Sequence, residues 1–224
     1  MNRLRIHEDI GGQLKIGVAW FSGLDASEDN PRWPEMEALA ETLRRTHGAR
    51  PPGGIEGLQA ARRLYRAFGV DPTRTRPSSE ALLRRVLKGQ SLYRINRLVD
   101  ACNWGSLAML LPVGLYDRDR IAGDIVIRVG GPGEAFEGIR KGDVHVEGRL
   151  TLADDRGPFG SPTSDSLRTS VRPDTTRALV VVFAPGDFPR LSLDEGLGRL
   201  VNQVTRWCGG GEEGAWILGE DADA

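Results

Sequence analysis

The chain has 224 residues, 39 % of them hydrophobic and 27 % charged. Those are the proportions of an ordinary folded protein with enough length to bury a core, and they exclude a disordered or collagenous chain. Thirty Lys and Arg nearly balance 31 Asp and Glu, for a net charge of −1, so bulk charge gives no sign of a strongly basic nucleic-acid binder.

Residues 1–12 contain no apolar leader segment, and the longest apolar run, 178–185, is too short to span a bilayer. A reducing cytoplasm and no membrane partner are expected. Residues 14–21 (LKIGVAWF) alternate between glycine-marked ends and predict a strand. Residues 25–34 read as a loop, and 35–45 carry helical periodicity in Met36, Leu39, Ala40 and Leu43. After the Pro51-Pro52-Gly53-Gly54 break, 55–68 predict a second helix closed by Gly69. Pro77 and Ser78 open a short helix over 80–87, with Ser78 as its N-cap. The stretch 92–110 has helical spacing interrupted at Asn103-Trp104-Gly105, which predicts two helices joined by a kink, with Pro112 as the stop.

From there the period changes to two. Residues 124–129, 143–147 and 149–154 predict short strands. Residues 155–173 form a long polar loop, and 178–183 (ALVVVF) a buried strand. Residues 193–208 predict an amphipathic helix, and Gly209–Gly211 open a loose acidic tail. The resulting architecture is α+β, a helical N-terminal half on a mostly antiparallel sheet. Its expected division is an N-terminal extension over 1–74, a core over 75–210 and a flexible tail over 211–224.

Charge is unevenly spread. Segment 44–97 holds thirteen Lys or Arg against Glu56, Asp71 and Glu80. Either these are solvated helix faces, or Arg62, Arg66, Arg84, Arg85 and Lys88 form a local polyanion surface. Cysteine spacing and the separated His7, His47 and His145 give no metal site or disulfide framework, so no metal or cofactor is expected.

The polar loop is the richest chemical segment. Ser161, Thr163, Ser164, Asp165, Ser166, Arg168 and Thr169 follow Gly157 and Gly160. Its hydroxyls and N–H groups suit a water or an oxyanion, Asp165 a general base or an amine ligand, and Arg168 a phosphate or carboxylate. A self-satisfied Ser/Thr/Asp turn network is the competing reading. Asn103 offers a carboxamide donor and acceptor for an ester carbonyl or a water. Cys102 reads as a small core hydrophobe, and Asp100 as a partner for Arg97 or Arg128.

The segment 98–121 (LVDACNWGSLAMLLPVGLYDRDRI), the following AGDIVIRVGGPGE, LTLADDRGPFG at 150–160 and DTTRALVVVFAP at 174–185 together resemble the B3/B4 domain of the bacterial phenylalanyl-tRNA synthetase β subunit. The resemblance covers roughly residues 75–190, with PTSDSLRT at 162–169 as a further shared loop. It implies a B3/B4-like sheet sandwich, and an activity that hydrolyses a mischarged aminoacyl-tRNA ester, here in trans. The implied partners are tRNA and its amino acid moiety, with no DNA.

Asn103, at a family position, and Asp165 and Thr163, from the polar loop, are the catalytic candidates; Gly114, at a family position, and Gly160, Ser161, Ser164, Ser166 and Arg168 of the loop are the substrate-binding ones. The chain departs from the family at three points. Gly114 stands where the family has His, Cys102 where it has Thr, and Ser166–Arg168 lie where its editing Glu would be. A noncatalytic tRNA-binding module and a pocket for a free amino acid are the alternatives.

Overall fold

The computed structural model describes residues 3–48 and 50–219. Its strands are β1 (Leu4–Ile6), β2 (Leu14–Ser22), β3 (Val113–Asp117), β4 (Ile125–Val129), β5 (Ala135–Glu137), β6 (Asp143–His145), β7 (Leu150–Asp154), β8 (Gly157–Gly160), β9 (Ala178–Pro185) and β10 (Gly211–Leu218). The helices are α1 (Trp33–His47), α2 (Leu58–Ala67), α3 (Ser78–Leu87), α4 (Arg97–Met109) and α5 (Arg190–Cys208).

Two four-stranded sheets stack under a layer of helices. The central sheet runs β10-β2-β9-β3 and is antiparallel throughout. The outer sheet runs β1-β4-β7-β8, with a parallel pair at β1 and β4. Side-chain parity on β9 explains the stacking. Val180 and Val182 join the core under the helices, while Leu179, Val181 and Phe183 join the core between the sheets. A strand covered on both faces has no polar positions, and hence reads as a continuous apolar run. β2 divides in the same way, with Phe21 toward the helices and Ile16, Val18 and Trp20 toward the outer sheet. α2 reaches both cores, with Leu58 under the helices and Leu64 between the sheets.

The α+β class is as expected, but four local expectations change. First, the anticipated kink is absent: α4 runs unbroken from Arg97 to Met109. Gly105 is there for packing, since a Cβ on it would lie 2.5 Å from Leu200 Cδ1 on α5. Second, residues 91–96 are not helical. Asn96 caps α4 by accepting from Val99 N at 2.8 Å, and Ile95 N donates to Asp100 Oδ1 at 3.1 Å. Asp100 also accepts from Asn30 Nδ2 at 3.0 Å, so neither Arg97 nor Arg128 is its partner.

Third, Pro77 takes the cap position of α3, and Ser78 is its first helical residue. Fourth, the expected loose tail is in large part a strand. Gly209 and Gly210 adopt φ of 66° and 67°, a turn that an L side chain resists. That reversal returns β10 along β2, from Gly211 opposite Ser22 to Leu218 opposite Ile16. The acidic residues beyond Gly219 lie outside the described residues.

Candidate functional site

Segments far apart in sequence close around one cavity of about 380 Å³, within the size range of small-molecule pockets. α4 presents Val99, Cys102 and Asn103 at helical spacing on one face. The edge strand β3 presents Val113 and Leu115. Loops complete the wall with Ile95, Asn96, Ile139, Arg140, Asp165, Ser170 and Val171. Apolar walls with a few convergent polar groups suit a ligand with an apolar side chain and a polar centre.

Asp165 is the cavity's electrostatic feature. Its backbone is fixed by an antiparallel bridge to Gly160 and by Ile139 N donating to its carbonyl. Its cavity side is open, so the residue is only partly covered, although the carboxyl group itself sits among protein atoms. Burial pushes that carboxyl up to about 7, against the Tyr116 hydroxyl, the Leu115 N–H and the Lys141 charge, which all favour ionisation. The Tyr116 hydroxyl is buried and makes no hydrogen bond of ordinary geometry, so it acts on Asp165 as a nearby dipole. Near neutral pH, Asp165 therefore exists both with and without its proton, the condition for proton transfer.

Asn103 is half-buried on the cavity wall, and its carboxamide makes no hydrogen bond to another described residue. Burial holds the Cys102 thiol well above its ordinary range, with Cys208 and Asp165 nearby adding to the effect. A thiolate nucleophile is thus disfavoured. Among the described residues no three His, Cys, Asp or Glu are grouped to hold a metal ion.

The other candidate residues are dispersed. Thr163 is not on this cavity. It lies in a small separate pocket with Leu64, Phe68 and His145, where its hydroxyl donates to Tyr65 Oη at 3.1 Å. Ser161 Oγ closes a local turn by accepting from Ser164 N and donating to Ser164 O, both at 3.1 Å. Ser164 Oγ accepts from Lys141 Nζ at 2.6 Å, and Ser166 Oγ is 2.9 Å from Thr169 Oγ1. Arg168 makes a bidentate pair with Asp154 at 2.8 and 2.9 Å, tying the loop to β7. Much of this loop is therefore self-satisfied, and Asp165 is the member that faces the cavity. Gly114 and Gly160 do not line it either. A Cβ on either one would collide with the Tyr116 hydroxyl, so both glycines make room for that ring.

The arginine cluster also divides. Arg62 is bound to the buried Glu80 through two 2.8 Å hydrogen bonds, and Arg76 and Arg84 stand 3.7 and 3.8 Å from the same carboxylate. Arg62 is thereby committed to the fold and withdrawn from the expected polyanion surface. Arg66 and Lys88 are exposed. Arg85 lies 4.2 Å over the Tyr93 ring and donates to Ser91 O at 2.9 Å.

A family model for the B3/4 domain matches residues 60–186, more than half of the chain. The chain belongs to the B3/4 domain family. A curated relative is the phenylalanine–tRNA ligase β subunit of Anaeromyxobacter dehalogenans (strain 2CP-C), 33 % identical over 138 residues. That match covers 59 % of this chain but 17 % of the ligase subunit, so the chain corresponds to a small part of its curated relative. In overall shape the chain resembles an N-terminal fragment of the phenylalanyl-tRNA synthetase β subunit from Pyrococcus horikoshii. There the TM-score is 0.50 at 13 % identity, over 97 % of this chain and 54 % of the fragment, a likeness of fold alone. No helix of the described residues is long and apolar enough to cross a membrane.

Within this B3/4 domain, sequence reasoning picked out Asn103 and Asp165 but missed Arg140, Ser170 and Tyr116 as their surroundings. Arg140 and Ser170 carry no local motif, and only the closing of loops onto α4 and β3 makes them neighbours. Tyr116 sits on β3, a strand that the sequence reading did not predict, inside the segment that resembles the family.

Proposed function

We propose that this B3/4 domain protein associates with tRNA and hydrolyses the ester of a mischarged aminoacyl-tRNA in trans. The observation that carries the reading is the convergence of Asn103 and Asp165 on one cavity. Kinship with a tRNA ligase subunit supplies the substrate class.

An aminoacyl ester needs a positioned water, polarisation of its carbonyl and a proton for the departing ribose oxygen. In this reading the ionised Asp165 takes a proton from water as the oxygen attacks the carbonyl carbon. The Asn103 amide donates to the developing oxyanion. As the tetrahedral intermediate collapses, the bond from carbonyl carbon to ribose oxygen breaks, and Asp165 returns its proton to that departing oxygen, which leaves as a hydroxyl. Val99, Val113, Leu115 and Val171 line the space for the amino acid side chain. General-base help of this kind contributes about 10²–10⁴ in rate.

The test is deacylation of a panel of radiolabelled aminoacyl-tRNAs, starting with tyrosine on phenylalanine tRNA, at low and moderate salt. Turnover of at least one species is expected. Asp165→Asn and Asn103→Ala should each reduce it about 100-fold while retaining the cooperative thermal transition. Binding of tRNA on a filter without turnover by the wild type would replace this reading with a noncatalytic binding module. Neither turnover nor binding would point to a free amino acid as the ligand, read by thermal shift.

A further inference from the structure

An exposed aromatic residue, Tyr93, lies two positions before Ile95, which lines the Asn103–Asp165 cavity. Residues 90–96 form an irregular strap between α3 and α4. The strap is held at both ends: Gln90 N donates to Arg85 O, and Ile95 N donates to Asp100 Oδ1. On it Tyr93 is 66 % exposed, although a guanidinium lies beneath it, with Arg85 4.2 Å from the ring centroid. Ile95, two residues on, is 46 % exposed and lines the cavity, and Ile139 on the opposite wall is 40 % exposed. Two exposed hydrophobic residues, Ile95 and Ile139, thus stand on the cavity wall, with Tyr93 two residues from the first.

Four cations stand on the strap, at the adjoining end of α3 and on the cavity wall, which also carries the Asp165 carboxylate. Arg85, Lys88, Arg94 and Arg140 make no salt bridge to any described carboxylate. Arg94 instead lies 4.7 Å over the Trp33 ring and acts on the buried Asp100 only at longer range. The buried or half-buried Arg62, Arg97, Arg118, Arg128 and Arg168 are all ion-paired. Unpaired cations flanking an open aromatic face match a polyanion whose units carry a stackable ring. That is the chemistry of single-stranded nucleic acid.

We infer that Tyr93, backed by Arg85, is a stacking shelf for a nucleobase at the single-stranded 3′ end of an RNA, with Lys88, Arg94 and Arg140 facing its phosphates. The inference rests on the proposed tRNA reading and extends it. The shelf would guide the 3′ terminus into the cavity. Tyr93 and Ile95 are two residues apart, a span of no more than about 7 Å, so a base on the shelf places the next nucleotide at the cavity mouth.

The test uses the full chain with two probes, a deacylated tRNA and the same tRNA lacking its last three nucleotides, each labelled at the 5′ end. Fluorescence anisotropy is read over a salt series. The wild type should bind the intact tRNA about tenfold more tightly than the trimmed one, the magnitude of a stacked base. Tyr93→Ala should erase that difference and leave the slope of log affinity against log salt unchanged, because no charge is removed. Tyr93→Trp should preserve the preference. Lys88→Ala with Arg94→Ala should lower the slope instead.

If Tyr93→Ala binds intact tRNA as the wild type does, the shelf is wrong while the tRNA reading stands. Failure of the wild type to bind either probe would remove both. A wild-type dimer that Tyr93→Ala dissociates in sedimentation would show that a second copy covers this face, and would also overturn the shelf. Tyr93 is mostly exposed, so the variants should keep the wild-type thermal transition.

Discussion

Asp165 serves two ends that oppose each other. Its enclosure raises the carboxyl to about 7, which suits proton transfer at neutral pH but costs stability once the group ionises. In the unfolded chain the same carboxyl returns to its ordinary value of 3.8. Its folded value is raised, so its stabilising contribution is whole below about pH 4 and is lost as pH rises through 7. Asp165→Asn should therefore melt at a higher temperature than the wild type at pH 8, with the gap closing at pH 4, as scanning calorimetry would show. Activity should move in the opposite direction. If Asp165 is the base, deacylation should rise through pH 7 and level off above it, and a flat profile from pH 5 to 9 would remove it from that role. The residue was legible in a loop dense with polar groups. Its titration was not, because burial of the carboxyl, which outweighs the opposing Tyr116 hydroxyl and Leu115 N–H, is a property of the closed fold. Thr163 shows the converse: its type and position were right for chemistry, but Tyr65 from α2 engages its hydroxyl.

At the level of elements, the helices rest on two kinds of contact that differ in how visible they are in sequence. Gly105 on α4 looks like a helix breaker, yet it marks the crossing of α5. Gly105→Ala would press a methyl against the fully buried Leu200. Overpacking of that kind costs about 1–3 kcal/mol, which urea denaturation should register with an unchanged m-value. The second contact joins α2 to α3 through Arg62 and Glu80, both buried or nearly so. Removing one side of a buried pair strands the other charge, so Glu80→Ala should lower the unfolding free energy by about 3–5 kcal/mol. Arg84→Ala, at the half-exposed rim of the same carboxylate, should cost less than about 1 kcal/mol. Comparable losses for the two would mean that Arg62 and Arg84 share Glu80 equally. From sequence alone, all of these arginines belonged to one cluster. Only the approach of α3 to α2 separates the committed from the available ones.

Over the whole molecule, the three-layer stack sets what can face solvent. Helices cover one side of the central sheet and the outer sheet the other, which leaves the ends of the layers for function. The cavity opens at one such end, beside edge strand β3. The net charge of −1 means that any tRNA affinity depends on local rather than global charge. Binding should accordingly be strongest at low salt, and the log–log slope should fall by about 0.7–0.9 for each phosphate contact removed. Reversing Arg66 together with Lys88, both exposed, should reduce that slope by more than Arg84→Ala, whose guanidinium lies near Glu80. Filter binding across a salt series distinguishes the two outcomes.

The fold class and most of the elements can be read from local pattern along the chain. Periodicity marks the helices, and the unbroken apolar run at 178–183 signals a strand buried on both faces, because local pattern follows directly from which faces lose water. The sequence also marked Asn103 and Asp165. Tertiary structure decided the rest, for a common physical reason: each outcome depends on groups brought together from distant segments. Pairing with β2 turned the expected tail into β10, and close packing on Leu200 made Gly105 part of one straight helix. Enclosure raised the Asp165 carboxyl to about 7, and closure of the loops onto α4 and β3 formed the cavity that Asn103 and Asp165 share.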